Sequence, residues 1–328
     1  MKKRQLGKTD LLVAPITLGS NVFGWTVDEK RSFEILDGFA GAGYNFIDTA
    51  DSYSRWVPGH QGGEAETIIG RWMKQKNNRQ QMIIATKVGS DMGNGKMGLR
   101  KKHILEAVDE SLSRLQTDYI DLYQTHFDEE STPVQETLEA YDQLVKAGKV
   151  RWIGASNISA ERLQESLDTS KSRGLVRYQT LQPLYNLYDR ELFEMETEQI
   201  CLHNKLGVLN YYSLASGFLT GKYRSKDDLD KSARGPGIQK YLNPRGFRIL
   251  DALDKISDQY NTDQATVALA WLLKRPSITA PIVSATSLGQ LKSILQAPEL
   301  NLDAKAMNLL NKASDWKIDQ FANAEHHL

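Results

Sequence analysis

The sequence predicts an α/β protein built from eight parallel strand and helix pairs. Short β-rich runs alternate with amphipathic helical segments along the whole chain, a pattern typical of parallel βαβ units. No linker rich in proline, glycine or serine separates them, which favours a closed barrel over an open doubly wound sheet. The sequence therefore predicts a single-domain (β/α)8 TIM barrel spanning residues 1–328.

The predicted strands are short runs with β-branched and aromatic residues. They lie near residues 15–19, 44–48, 82–87, 119–125, 150–155, 178–182, 207–212 and 279–283. The segments between them place apolar residues on one helical face, as core packing requires. Examples of these stripes are Phe33, Leu36 and Ala40, then Ile104, Val108, Leu112 and Leu115, and then Val134, Leu138, Tyr141 and Val145.

Two helix starts carry capping patterns. Thr132 is followed by proline, and Gln135 stands three residues after it, which predicts a capping box at that helix. Ser287 and Gln290 repeat the same spacing after the eighth predicted strand. We expect a helix to begin at each segment.

Two segments depart from the strand and helix repeat. Residues 3–14 are expected to form a hairpin that turns at residues 7–10. A long loop, residues 213–246, follows the seventh strand. Long structureless connections are usually functional, and this part of a barrel commonly binds phosphate.

Composition limits the classes of partner. The 41 basic and 41 acidic residues cancel, so net charge indicates neither nucleic acid nor a membrane, and a small molecule fits better. Cys201 is the only cysteine, which excludes an intramolecular disulfide and favours a reducing compartment. The basic residues 1–7 precede no apolar segment, so we expect a cytoplasmic protein. The sequence leaves the oligomeric state open.

Four reactive side chains fall at the carboxyl ends of neighbouring predicted strands, the ends that form the active site of a barrel. Asp48 and Tyr53 follow the second strand, Lys87 ends the third and His126 follows the fourth. A carboxylate pairs with a lysine, whose charge lowers the pKa of tyrosine from about 10, while histidine can orient a carbonyl oxygen and help to carry or donate the proton. This combination predicts carbonyl reduction with Tyr53 as the proton donor.

Each of these residues also has an ordinary explanation. An aspartate after a strand often caps a helix, a lysine is usually solvated and a buried histidine is usually hydrogen-bonded. A structural role would not require four reactive types at consecutive strand ends, so their coincidence favours the catalytic interpretation.

The sequence also resembles the aldo-keto reductase family, in the branch of aryl-alcohol dehydrogenases and channel β subunits, over essentially its whole length. The segments 46–53, 85–87 and 121–126 are similar to that family's catalytic motifs. Residues 148–157, Gly148-Lys149-Val150-Arg151-Trp152-Ile153-Gly154-Ala155-Ser156-Asn157, are similar to its strand-five signature. These motifs occur in the family's order, which makes the match specific.

The resemblance implies that the chain binds NADPH or NADP+, with NADH possible as an alternative. Ser156, Asn157 and Gln182 would hold the nicotinamide carboxamide, although Gln179 leaves that register open. Tyr211 would stack on the nicotinamide, although its neighbour Tyr212 leaves that assignment open too. The other cofactor contacts implied are Ser20, Ser213, Leu214, Gly217, Lys222, Arg224, Ser284, Thr286, Ser287 and Gln290.

Two phosphate sites follow from the resemblance. Residues 213–222 resemble the pyrophosphate loop, with Ser213 where proline is more usual. Residues 222–246 hold seven basic and three acidic side chains, and this excess of four predicts a phosphate-facing lid, with a solvated loop as the alternative. The adenosine 2′-phosphate would lie near Thr286 and Ser287. Gln290 stands where arginine is common, so NADPH is expected to be preferred over NADH only modestly.

Substrate and function retain alternatives. Trp25, Trp56 and Phe127 are expected to line the substrate pocket, and their aromatic walls suit an aryl aldehyde, a keto sugar or a steroid alike. A metal-dependent hydrolase using Asp48, Asp51 and His126 is disfavoured because the chain has no His-x-His or His-x-x-x-His pair. A cofactor-binding redox sensor or regulatory subunit with little turnover stays open.

Overall fold

The computed structural model describes residues 1–93 and 95–318. It begins with an antiparallel hairpin of β1 (Arg4–Gln5) and β2 (Leu12–Val13), as predicted. Gly7, in the turn, has a φ of 57°, and a Cβ there would lie 2.3 Å from the Gln179 carbonyl oxygen. Glycine therefore allows the hairpin to approach the barrel closely.

Eight parallel strands form the barrel, which confirms the predicted fold. Neighbouring strands follow chain order. The sheet closes where the backbone N–H groups of Thr279 and Ile282 donate to Val208 and Asn210 carbonyl oxygens, both over 2.9 Å. The strands are β3 (Thr17–Gly19), β4 (Phe46–Asp48), β5 (Ile83–Val88), β6 (Ile120–Thr125), β7 (Val150–Ser156), β8 (Tyr178–Gln182), β9 (Gly207–Val208) and β10 (Ile282–Val283).

Helices cover the outside of the sheet and pack apolar residues against it. Of the residues in the predicted stripes, Phe33, Ala40, Leu112 and Val145 are only partly buried. None of the helices in the described part of the chain is both long and apolar enough to cross a membrane. The helices are α1 (Glu29–Gly41), α2 (Glu64–Lys76), α3 (Lys101–Leu115), α4 (Val134–Lys146), α5 (Ala160–Arg173), α6 (Glu198–Asn204), α7 (Pro244–Tyr260), α8 (Gln264–Leu273), α9 (Leu288–Gln296) and α10 (Ala304–Ala313).

The barrel interior is filled at its amino-terminal end. Leu6, Leu11 and Val13 of the hairpin pack with Phe46 and Leu122, which point into the barrel. Because the hairpin covers this end, a ligand reaches the barrel interior from the opposite end, where the strands terminate.

Two local predictions need correction. The capping box at α4 is wrong: the Thr132 hydroxyl donates to Glu129 Oε2 over 2.7 Å, and Gln135 bonds Glu139. The helix begins at Val134 with Pro133 as its N-cap, so Thr132 lies one residue too early for its hydroxyl to accept from the first turn. At α9, Ser287 Oγ accepts from the Gln290 N–H as predicted, but the Gln290 side chain accepts from the Thr286 N–H, so only half of the predicted capping box forms.

The connection after β9 is not structureless. It contains successive turns at 215–220, interrupted by the non-helical backbone of Ser216 and Gly217, and 3-10 helices at 226–231 and 235–241, and α7 begins at Pro244. Buried Tyr223, Ile238 and Tyr241 anchor it to the core. Apolar anchors spaced along a mostly polar segment give it a fixed path across the barrel mouth.

Candidate active site

A cavity of about 1090 Å³ opens at the carboxyl ends of the strands. It runs from the strand ends to the start of α9, and most of the residues predicted for catalysis and binding line it. These lining residues are Asp48, Tyr53, Trp56, His126, Phe127, Ser156, Asn157, Gln182, Tyr211, Ser213, Leu214, Gly217, Lys222, Ser284, Thr286 and Gln290.

A buried lysine links the aspartate and the tyrosine beneath the cavity. Parallel pairing of β4 with β5 sets Asp48 opposite Ala85, two residues before Lys87. The Lys87 Nζ donates to Asp48 Oδ2 over 2.6 Å, to the Thr49 carbonyl oxygen over 2.7 Å and to the Tyr53 hydroxyl over 2.9 Å. All three ammonium hydrogens are therefore used, and one of them is directed at the tyrosine oxygen.

The second oxygen of Asp48 is held by two amides. Asp48 Oδ1 accepts from Gln182 Nε2 over 2.9 Å and from Gln124 Nε2 over 3.2 Å. Asp48 and Lys87 are 1% and 0% exposed, whereas Tyr53 is partly exposed and lines the cavity. The ion pair is thus saturated by protein groups, and the phenol is the member of the trio that a ligand can reach.

The pKa of Tyr53 differs from the sequence expectation, which was that the Lys87 charge lowers it. Burial raises the pKa of Tyr53 to about 12, and the Lys87 charge only partly opposes that rise. Burial alone would lower the pKa of Lys87, but Asp48 and Tyr53 raise it above its usual value. Tyr53 therefore remains a neutral phenol and Lys87 remains an ammonium at neutral pH.

His126 stands beside Tyr53 as a neutral ring. The two ring centres are 5.9 Å apart, and Phe127 stacks on the other side of the imidazole. Burial and the Lys87 charge hold the pKa of His126 well below its usual value. A neutral imidazole can donate a hydrogen bond through its single N–H but lacks the second proton of an imidazolium acid, which favours orienting a ligand over supplying the proton.

A linked set of polar groups lies on the far side of the trio. Ser156 Oγ donates to the Gln182 carbonyl oxygen over 2.8 Å, and Asn157 Nδ2 donates to Ser156 Oγ over 3.1 Å. The Tyr211 hydroxyl donates to Asn157 Oδ1 over 2.8 Å. Gln179 instead accepts from the Lys8 N–H in the hairpin, so Gln182 is the glutamine that faces the cavity.

The loop after β9 offers backbone groups and two cations, Lys222 and Arg234, to the cavity. Positive φ angles cluster in it, at Tyr212, Ala215, Ser216 and Gly217. Such a concentration of unusual backbone conformations is common at ligand sites. Lys222 lines the cavity, but Arg224 does not: its guanidinium is held by both carboxylate oxygens of Asp254, over 2.7 and 2.9 Å. The predicted phosphate contact of Arg224 is therefore not supported.

After β10, the hydrogen-bond donors of Thr286 are already bonded within the chain. Gln290 Oε1 accepts from the Thr286 N–H over 2.8 Å and from the Thr286 hydroxyl over 3.0 Å. Ser287 and Ser20 are not among the lining residues, although each is next to one. The Ser20 hydroxyl is buried without a hydrogen-bond partner in the described part of the chain.

Two of the three aromatic residues predicted to line the substrate pocket line the cavity. Trp56 and Phe127 line the cavity and are 50% and 48% exposed. Trp25 does not line it; its ring meets Trp56 edge-on, with centres 5.7 Å apart. Trp25 therefore supports the wall rather than forming it.

Several lining residues were missed from the sequence. Asn21 and Asp91 lie in irregular segments whose path no periodicity predicts. Arg234 was counted among the seven basic residues of the predicted lid but was not predicted individually to line the cavity. Gln124, which holds Asp48, follows the alternation of β6 and could have been found from it. Within the described ranges, no group of three or more histidine, cysteine or acidic side chains is placed to hold a metal ion.

Sequence comparisons place this barrel among known enzymes. A profile of the Aldo/keto reductase family matches residues 15–315. The chain is 35% identical over 322 residues to the uncharacterized oxidoreductase YrpG of Bacillus subtilis, with 95% of both chains covered. It is 33% identical over 326 residues to the aldo-keto reductase YhdN of the same organism, covering 95% of this chain and 93% of YhdN.

A plant relative is similar over a comparable length. The chain is 30% identical over 311 residues to a probable voltage-gated potassium channel subunit beta of Arabidopsis thaliana, with 92% of each chain covered. Since the family profile spans nearly the whole barrel and the relatives align from end to end, this chain is an oxidoreductase that belongs to the aldo/keto reductase family.

Proposed function

We propose that the protein reduces an aldehyde or ketone to an alcohol with NADPH, using Tyr53 as the proton donor. The observation that carries the proposal is the Lys87 ammonium, which contacts Asp48 and Tyr53 at once beneath an open cavity. A solvated lysine or a structural ion pair would not need a phenol as its third partner.

The cavity suits a dinucleotide, because its volume is about 1090 Å³ and its lining includes both the strand ends and the loop after β9. Amide and hydroxyl groups of Ser156, Asn157 and Gln182 would hold the carboxamide, and the Tyr211 ring would cover one face of the nicotinamide. The positive-φ backbone around Ser216 and the Lys222 ammonium would face the phosphates. When bound, this cofactor supplies the hydride that adds to the carbonyl carbon.

The side chains then supply the proton and the geometry. The O–H bond of Tyr53 breaks as the carbonyl oxygen takes its proton, and the Lys87 ammonium stabilises the tyrosinate that remains. His126 donates a hydrogen bond that fixes the carbonyl oxygen near the phenol. Asp48 holds the ammonium in place through a contact that solvent does not reach.

NADPH is expected to be preferred over NADH, but only modestly. The lining residues near α9 include hydroxyl and amide groups but no basic side chain. Gln290 already occupies the Thr286 N–H and hydroxyl, so a 2′-phosphate has to compete with it. A full charge-assisted contact is therefore missing from this proposed 2′-phosphate site.

The test is turnover of 4-nitrobenzaldehyde with NADPH, followed by loss of the cofactor's absorbance, beside cofactor binding measured by fluorescence. Reduction that depends on Tyr53 supports the enzyme. Tight NADPH binding with no turnover of a panel of carbonyl compounds contradicts it. That result would favour a cofactor-binding sensor or regulatory subunit, a role to which the named channel subunit draws attention.

A further inference from the structure

Asp51 is a buried carboxyl group that the proposed chemistry does not use. It is 2% exposed, follows β4 and precedes Tyr53 by two residues, but it is not among the residues that line the cavity. Neither of its carboxyl oxygens makes a hydrogen bond to another group in the described part of the chain. Burying a carboxylate in this way is costly, because an ionised group out of water needs a cation or several donors.

The two cations nearest to Asp51 are already paired with other carboxylates. The Lys87 Nζ on β5 donates to Asp48 over 2.6 Å. The Arg114 Nε on α3 donates to Glu66 of α2 over 2.6 Å. Asp51 is therefore a third carboxyl group beside two occupied cations.

The charges around Asp51 disfavour its ionised form. Titratable groups from five elements packed around it interact with it electrostatically, and they are Glu66 (α2), Arg114 (α3), Lys87 (β5), Tyr123 (β6) and Tyr141 (α4). Burial raises the pKa of Asp51 well above its usual value, and the negative charge of Glu66 raises it further. The two cations and the nearby Ser52 N–H oppose this rise only in part. A neutral acid therefore fits this position better than a carboxylate.

The backbone of Asp51 belongs to the turn that carries the catalytic phenol. The Asp51 N–H donates to the Lys87 carbonyl oxygen over 3.3 Å, and the Tyr53 N–H donates to the Ala50 carbonyl oxygen over 3.3 Å. The turn is thus tied to β5, with the Tyr53 side chain in the cavity and the Asp51 side chain buried behind it. A shift of the Asp51 side chain would move the phenol with it.

We propose that Asp51 is a positioning residue that stays protonated in the working enzyme, anchors the turn that carries Tyr53, and would oppose tyrosinate formation if it became an anion. It rests on the proposed function, in which the Lys87 ammonium stabilises the tyrosinate left by carbonyl reduction. While Asp51 is neutral, the ammonium is offset by one carboxylate, Asp48. A second buried anion would raise the energy of the developing negative charge on the phenol oxygen.

The first experiment measures chemical denaturation from pH 5 to 9 in the parent and in Asp51→Asn. The unfolded chain releases the Asp51 proton near a pH of about 4, whereas the folded chain keeps it, so the parent loses stability as pH rises. The unfolding equilibrium constant of the parent, relative to that of Asp51→Asn, should rise by about tenfold per pH unit until the folded carboxyl ionises.

Asp121→Asn is the matched control for denaturation. Asp121 is also buried, but it is bonded to Arg79 over 2.8 Å and to Arg151 over 2.7 Å. Its substitution should destabilise the protein, because it leaves both cations without this carboxylate. A ratio for Asp51→Asn that does not change with pH, together with a loss of stability like that of Asp121→Asn, would show that Asp51 is ionised and would overturn the proposal.

The second experiment measures kcat for 4-nitrobenzaldehyde at saturating NADPH in the parent, Asp51→Ala and Asp51→Asn. Asp51→Ala should lower kcat by about tenfold or more while the Kd for NADPH is kept, because the phenol is displaced. Asp51→Asn keeps the shape of the neutral acid and should restore most of that loss. Above any pH at which the stability ratio stops rising, kcat of the parent should fall while that of Asp51→Asn stays level.

The kinetic results can also contradict the proposal. Equal kcat in Asp51→Ala and Asp51→Asn would remove the positioning role, as would a parent rate that stays level after the stability ratio has stopped rising. If no carbonyl compound is turned over, the reductase proposal fails by itself. The dependence of stability on pH then still decides whether Asp51 is a neutral acid.

Discussion

The two ends of the cavity are built in different ways. At the catalytic end, Lys87 is 0% exposed and each of its contacts goes to a protein atom at 2.6 to 2.9 Å. At the nucleotide end, Lys222 and Gln290 are exposed, and backbone and loop groups form most of the wall. In the proposed function, catalysis would depend on a preorganised buried charge, whereas cofactor binding would depend on many weak and screened contacts.

The largest expected effect is at the phenol. Tyr53→Phe should lower kcat for carbonyl reduction by a factor on the order of 10² to 10⁴ while NADPH binding is kept, because only the proton donor is removed. Steady-state kinetics beside fluorescence titration would measure both. Tyr123→Phe is the control, since that hydroxyl is buried without a partner in the described part of the chain. Substantial turnover by Tyr53→Phe would contradict the proposed role of Tyr53 as the proton donor.

Lys87→Met should reduce kcat by a similar order, because the tyrosinate loses its neighbouring cation. In the parent, the raised pKa of Lys87 keeps the ammonium charged, so Lys87 should cause no loss of activity as pH rises from about 7 to 9. A rate profile over pH would check this point. A parent-like rate and pH profile in Lys87→Met would show that the pairing is irrelevant to the chemistry.

Loss of a buried cation also destabilises the fold, so Lys87→Met needs a matched control. Arg114 is a second cation that pairs with a buried carboxylate: its side chain is 20% exposed, and its Nε lies 2.6 Å from Glu66 Oε2, outside the cavity. Arg114→Met should cost about 3 to 5 kcal/mol of unfolding free energy, as Lys87→Met should, because each leaves a buried carboxylate unpaired. Chemical denaturation would measure both. The folded Arg114 variant should keep kcat near the parent value, and an equal loss of kcat in both variants would assign the Lys87 effect to stability.

A smaller effect is expected at the nucleotide end. Lys222→Gln should weaken NADPH binding about fivefold at low salt and flatten the dependence of Kd on salt, because an exposed phosphate contact is worth about 1 kcal/mol. Titration at several ionic strengths would measure it, with Lys226→Gln as the control. If the Kd for NADPH depends on salt equally in the parent and in Lys222→Gln, Lys222 does not contact a phosphate and the segment is a solvated loop.

The smallest effect is expected at α9. Gln290→Arg should increase the ratio of kcat/KM for NADPH to that for NADH by up to about tenfold, because it supplies the missing charge and releases the Thr286 donors. Kinetics with both cofactors would test it. An equal kcat/KM for the two cofactors that does not respond to the substitution would show that the 2′-phosphate does not bind here.

Local patterns were sufficient for most of the architecture. Alternation of strands and helices determined the eight-stranded barrel, and the positions of Asp48, Lys87 and His126 at strand ends followed from it. They could be predicted because the carboxyl ends of parallel strands share one face of a barrel, whatever the details of packing.

Other features depended on packing between distant segments. The neutral state of Tyr53 and His126 follows from burial, which outweighs the lysine charge at the phenol and cannot be calculated from residue types alone. The same holds for Arg224, whose partner Asp254 lies 30 residues away on α7.

The sequence by itself determined the barrel, the order of its strands and the reactive residues at their ends, because these follow from local periodicity and from the topology of parallel strands. The tertiary structure alone decided which loop side chains face the cavity, as Arg234 and Asn21 do, and which, as Trp25 and Arg224 do, are held away from it. The physical reason is that an irregular segment has no repeating geometry, so the direction of each side chain is fixed by the contacts it finds across the fold.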